Sequence, residues 1–250
     1  KGQYDDPEKL AKSIIQKYPN HAFSWKVLGA VFKNTGKLQD SLVANRKAVE
    51  LVPTDAAAHN NLGITLQELL MLDEAEKCYR RAIDLSPEFS EAHNNLGVTL
   101  QERGNLADAE QSYKNTISIN ADFIQAHYNL GITLQELGRF EEAKESYKKA
   151  IAINPNHADA HYNLGNTYKE FNRLEEAESS YRKALELNPN FANAFNNLGI
   201  VLQEFGKLEE SEACYRKAIS MNSEFSEAHS NLGNILKELL RLDEAEASHQ

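Results

Sequence analysis

The stretch HNNLGITLQE at residues 59–68 returns as HNNLGVTLQE at 93–102 and as HYNLGITLQE at 127–136. The Leu-Gly pair inside it recurs at 28/29, 62/63, 96/97, 130/131, 164/165, 198/199 and 232/233, a period of 34 residues without insertion or deletion. A fixed period of this length is the mark of a solenoid, whose units bury their apolar faces only against their neighbours. Counted from Ala22, the repeats span 22–55, 56–89, 90–123, 124–157, 158–191 and 192–225, with an incomplete seventh at 226–250. Residues 1–21 read as an N-terminal helix in the register of the second half of a preceding repeat.

Apolar residues recur twice per repeat at helical spacing, first around Leu130, Gly131 and Leu134, then around Phe140, Ala143, Tyr147, Ala150 and Ile151. Each repeat therefore predicts two helices, A and B. Gly36, Gly104, Gly138 and Gly206 fall just after helix A, where a left-handed cap is expected; Asn172 can adopt that conformation, whereas Leu70 and Leu240 cannot do so cheaply. Pro19, Pro53, Pro87, Pro155 and Pro189 close helix B at one register, and Pro7 starts the first helix after Asp6. The glycines of the Leu-Gly pairs lie inside helix A, each at a cost of about 1 kcal/mol relative to alanine. Close helix contact offsets that cost in this reading, with small helix-B residues such as Ala75, Ala109, Ala143 and Ala177 opposite. The fold expected is an all-α solenoid of antiparallel helix pairs coiled into a right-handed superhelix, with no linker.

An aromatic residue or His, then Leu-Gly, Leu or Tyr, Ala, Tyr, Ala and Pro within 34 residues resembles the tetratricopeptide repeat, and the resemblance covers residues 22–250. Ala121 and Ser223 depart from it at the closing proline, Asn45 at the helix-B aromatic and Thr116 at a small alanine.

Lys and Arg number 27 against 37 Asp and Glu, a net charge of −10, so the long-range field repels nucleic acid and anionic membranes and favours neutral or basic protein partners. No apolar run approaches the ~18 residues of a membrane span. Cys78 and Cys214 occupy equivalent places four repeats apart and cannot bridge within one chain, which suits a reducing, cytoplasmic compartment. The sequence holds no phosphate loop, nucleophile elbow or HExxH pattern, and implies neither catalysis nor a cofactor in this segment. His59, His93, His127, His161 and His229 share one repeat position, but copies on successive repeats stand too far apart to share a metal. Trp25 and Phe195 occupy that position elsewhere, which predicts a half-buried packing ring.

Asn61, Asn95, Asn129, Asn163, Asn197 and Asn231 precede the Leu of the last six Leu-Gly pairs and lie about 160° around helix A from the glycine, on the face expected to line a concave groove. Glu68, Glu102, Glu136, Glu170, Glu204 and Glu238 follow them by two turns on the same stripe. Asparagine is a mediocre helix former, so two roles compete and are compatible. Each amide bonds its neighbour in the next repeat and stiffens the array, or the amides hold the backbone of an extended peptide. The asparagine ladder is similar to that of the repeat arm of O-linked N-acetylglucosamine transferases, and the resemblance implies a grip on substrate peptide backbone. Glu102, Glu136 and Glu170 would select basic peptides if they face the groove, and otherwise form a solvated stripe. Tyr128 and Tyr162 could stack on a ligand side chain or on each other. Lys26 is the lone basic residue at the groove position of Asn60 and Asn94, which disfavours a clamp for a C-terminal carboxylate.

The function expected is a protein-interaction scaffold that binds an extended segment in its groove. The recruiting arm of a larger transferase and a structural spacer are the alternatives. Lys1 is not a methionine and Gln250 stops within helix B, so the chain reads as part of something longer. An uncapped last repeat, ending in Leu242, Ala245 and His249, predicts end-to-end self-association.

Overall fold

The computed structural model describes residues 7–239. The self-association surface at Leu242, Ala245 and His249, the cap at Leu240 and the residue Asp6 all lie outside them. The chain divides between Asn129 and Leu130, inside one helix, into two compact units; no shift of composition marks the place. The first unit holds α1 (Pro7–Lys17), α2 (Ala22–Asn34), α3 (Leu38–Leu51), α4 (Ala56–Glu68), α5 (Leu72–Leu85), α6 (Ser90–Glu102), α7 (Leu106–Ile119) and the start of α8 (Ile124–Glu136). The second holds the rest of α8, then α9 (Phe140–Ile153), α10 (Ala158–Glu170), α11 (Leu174–Leu187), α12 (Ala192–Glu204), α13 (Leu208–Met221) and α14 (Ser226–Glu238). From α1 to α7, and again from α9 to α14, consecutive helices pack on one another. Helices of type A also touch the next A, as α2 does α4 and α12 does α14.

The punctuation follows from local chemistry. Gly36, Gly104, Gly138 and Gly206 take φ of +70 to +78° and Asn172 takes 55°. The next amide then folds back onto a carbonyl five residues earlier, as Asn105 N donates to Leu100 O at 2.8 Å. Leu70 adopts the same conformation at φ 59° despite its Cβ, a strain of about 1–2 kcal/mol, because Met71 N still donates to Leu66 O at 2.9 Å. The missing prolines at Ala121 and Ser223 move nothing. Helix α7 still ends at Ile119 and α13 at Met221, and Asn120 and Asn222 accept from the backbone N–H two residues on at 3.1 Å, the same Asx turn that Asn154 and Asn188 close beside Pro155 and Pro189, so the turn forms with or without the proline.

One expectation about the core is corrected. The glycines inside helix A make room for the helix-B ring and not for an alanine. A Cβ at Gly63, Gly97, Gly131, Gly165 or Gly199 would lie 2.5–2.7 Å from Cε1 of Tyr79, Tyr113, Tyr147, Tyr181 or Tyr215. These five tyrosines are fully buried. In the first pair Asn45 takes the ring's place beneath Gly29. Thr116 fits where alanine stands elsewhere because its hydroxyl donates to Ser112 O at 3.0 Å.

Candidate functional site

The tyrosine ring is anchored at its far end by an amide. Tyr79, Tyr113 and Tyr147 donate their hydroxyls to Gln67, Gln101 and Gln135 at 3.0 Å, and Tyr215 donates to Gln203 at 3.4 Å. Lys169 replaces that glutamine in α10, and Tyr181 turns to Asn166 at 2.9 Å. Burial pushes the phenols of Tyr79, Tyr181 and Tyr215 up, which keeps them donors. Sequence reasoning passed over these glutamines, although they recur at the same period within the LQE of the quoted stretch.

The histidines do more than pack. Nε2–H of His59, His93, His127, His161 and His229 donates to the carbonyl six residues earlier at 2.9–3.0 Å, tying the turn between helix B and the next helix A to the new helix. Trp25 Nε1 makes the same bond to Pro19 O at 2.7 Å. Among the described residues no three His, Cys, Asp or Glu side chains converge to hold a metal ion, and no helix is long and apolar enough to cross a membrane.

The asparagine ladder bonds backwards to the preceding helix pair. In the first unit Asn95 Nδ2 donates to Asn60 Oδ1 at 3.1 Å. In the second, Asn231 Nδ2 donates to Asn196 Oδ1 at 3.0 Å, and Asn197 Nδ2 donates to Asn166 Oδ1 at 2.9 Å and to Tyr162 Oη at 3.2 Å. Asn129 is buried and accepts from Gln125 at 2.9 Å, while Asn61 and Asn163 are half-buried. The donors thus link neighbours, whereas the Oδ1 atoms of Asn95 and Asn231 accept from no described residue. Tyr162 packs on Phe191 and Tyr181, with ring centroids 4.6 and 6.0 Å away. Tyr128 is half-buried on α8.

The glutamates divide. Glu102 accepts from Gln67 at 3.1 Å and Glu238 from Gln203 at 2.7 Å, so both are bridged to the preceding pair. Glu170 is exposed and makes no hydrogen bond or ion pair with another described residue. A cavity of about 430 Å³ lies in the second unit where that bridge is missing. Glu136 and Glu170 line it with Asn163, Gln135, Ile132, Phe140 and the buried Tyr147. It therefore gathers three of the residues read from the sequence, and it leaves Asn61, Asn95, Asn129, Asn197, Asn231, Tyr128, Tyr162 and Glu102 outside. A second cavity, about 470 Å³ in the first unit, lies among Arg80, Asp84, Leu96, Asp108 and Gln111 and holds none of them.

Burial pushes the thiols of Cys78 and Cys214 up to about 11. Alkylation of the folded protein at pH 8 is expected to run roughly a hundredfold slower than in urea, because the thiolate is the nucleophile, and to quicken as pH rises toward that value. Iodoacetamide labelling read by mass spectrometry checks this; equal rates folded and unfolded would contradict it.

No curated protein matches the chain in sequence. Solved structures do. YrrB, whose crystal structure is described as that of a TPR protein with an unusual peptide-binding site, is 23% identical at a TM-score of 0.63 over 74% of this chain and 95% of its own. PilF of Pseudomonas aeruginosa is 18% identical at a TM-score of 0.77 over 87% of this chain and 97% of its own. MamA is 25% identical at a TM-score of 0.61 over 65% of this chain and 95% of its own. Models of the tetratricopeptide repeat match residues 56–89, 88–156, 122–190 and 180–213, together more than half of the sequence. The 34-residue period, the Gly–Tyr contact in successive helix pairs and these matches agree that the chain belongs to the tetratricopeptide repeat family.

Proposed function

We propose that residues 22–250 form a protein-interaction scaffold that holds an extended segment of a partner against the asparagine-bearing faces of its A helices. One observation carries the reading: the cavity beside α10 assembles Asn163, Glu136 and Glu170, drawn from two neighbouring A helices at the register expected for a ligand face. At Asn95 and Asn231 the amide donors stiffen the array and the Oδ1 atoms receive backbone N–H groups, so there the two roles of asparagine are served by different atoms of one side chain. YrrB, with its peptide-binding site, supports the reading by analogy of fold. A net charge of −10 favours neutral to basic partners.

Peptides selected from a displayed library on the intact chain test this. Asn163→Ala is expected to weaken such a peptide by about 1–3 kcal/mol, the range for a lost polar pair at a desolvated contact, while the helical circular dichroism stays the same. Affinity unchanged for every selected peptide removes Asn163 from the binding face and the reading with it.

A further inference from the structure

We propose that the cavity of the second unit receives the side chain of an arginine from the bound segment. The proposal rests on the binding face described above and adds the residue it selects. In the ladder, Gln67 reaches Glu102 and Gln203 reaches Glu238. Gln135 accepts from Tyr147 at 3.0 Å but makes no bond to Glu170, so this carboxylate is left for an outside partner. The opening between the two is the cavity of about 430 Å³, ample for one long side chain.

Its wall also differs from the rest of the array. Phe140 opens α9, where Leu38, Leu72, Leu106, Leu174 and Leu208 open the other B helices. An aromatic ring, a carboxylate and an amide oxygen around one space match a guanidinium, which stacks on rings and forks onto carboxylates while its stem covers apolar surface. A lysine ammonium is a compact, strongly hydrated charge and gains less from the ring. Citrulline has nearly the same shape without the charge.

The test uses N-acetyl-L-arginine N-methylamide and its citrulline and lysine counterparts, titrated into the intact chain and followed by backbone amide NMR. The arginine compound is expected to bind saturably, shifting Gln135, Phe140 and Glu170, at least about fivefold more tightly than either counterpart. Glu170→Gln is expected to abolish the preference, and raised salt to reduce it. Equal binding of the citrulline compound, a preference that survives Glu170→Gln, or no saturable shift at the cavity overturns the proposal. Selected peptides weakened by Asn163→Ala but indifferent to exchange of their arginine for citrulline would overturn the arginine site and leave the binding face standing. An arginine preference in peptides insensitive to Asn163→Ala would do the reverse.

Discussion

Tyr113→Ala is expected to cost roughly 3–5 kcal/mol, the range for emptying a buried aromatic site, and in that background Gly97→Ala changes sign. Tyr113 is fully buried and its hydroxyl is tied to Gln101. An alanine Cβ at 97 would stand 2.6 Å from its ring, well inside the ~3.5–4 Å of an ordinary carbon contact. With the ring present, overpacking of about 1–3 kcal/mol outweighs the roughly 1 kcal/mol that helix propensity returns for alanine over glycine. Because the ring is held at both ends, the loss falls toward the upper part of that range. With the ring gone only propensity is left, and Gly97→Ala stabilises by up to about 1 kcal/mol. Urea midpoints of the four proteins, followed by circular dichroism, complete the cycle. The same sign for Gly97→Ala in both backgrounds would show that the glycine serves something other than the ring.

Asn45→Tyr is expected to raise stability by about 2 kcal/mol, unusual for a buried substitution. Asn45 is 1% exposed, and its Oδ1 has no hydrogen-bond partner. A buried acceptor left unmade costs about 1–3 kcal/mol. Gly29 already clears the space above it, as a Cβ there would meet that oxygen at 2.0 Å. Removing the amide strands no neighbour: Ser41 Oγ keeps Gly29 O at 2.8 Å and Thr65 Oγ1 keeps Asn61 O at 3.1 Å. The sixth pair shows that the polar neighbour tolerates the ring, since Ser211 donates to Gly199 O at 2.7 Å beside the fully buried Tyr215. A higher urea midpoint and slower amide exchange in α2 and α3 are the expected readouts. A lower midpoint would mean that the Ser41–Asn45–Thr65 cluster stabilises this pair more than an aromatic ring could.

The helix pairs were legible in the residues themselves because their causes are local. Apolar spacing of 3.6, glycine or asparagine after helix A and proline after helix B act over a few residues, and a strict period repeats the message in each pair. The asparagine and glutamate stripes were legible for the same reason, since seven residues make two turns on one helix face. What the glycines faced was not: alanines and tyrosines of helix B recur at the same period, and only the packed helices show that the ring crosses Gly97 while Ala109 does not. The histidine bond to a turn carbonyl was equally hidden, because one position suits both a packing ring and a donor until the turn is in place. The cavity beside α10 went furthest beyond the sequence. Glu102, Glu170 and Glu238 share one repeat position, and Gln67, Gln135 and Gln203 share another, yet two of these bridges close and one stays open. That outcome depends on side chains meeting between helix pairs, a distance of an ångström or two that a repeat register does not encode and that tertiary packing alone sets.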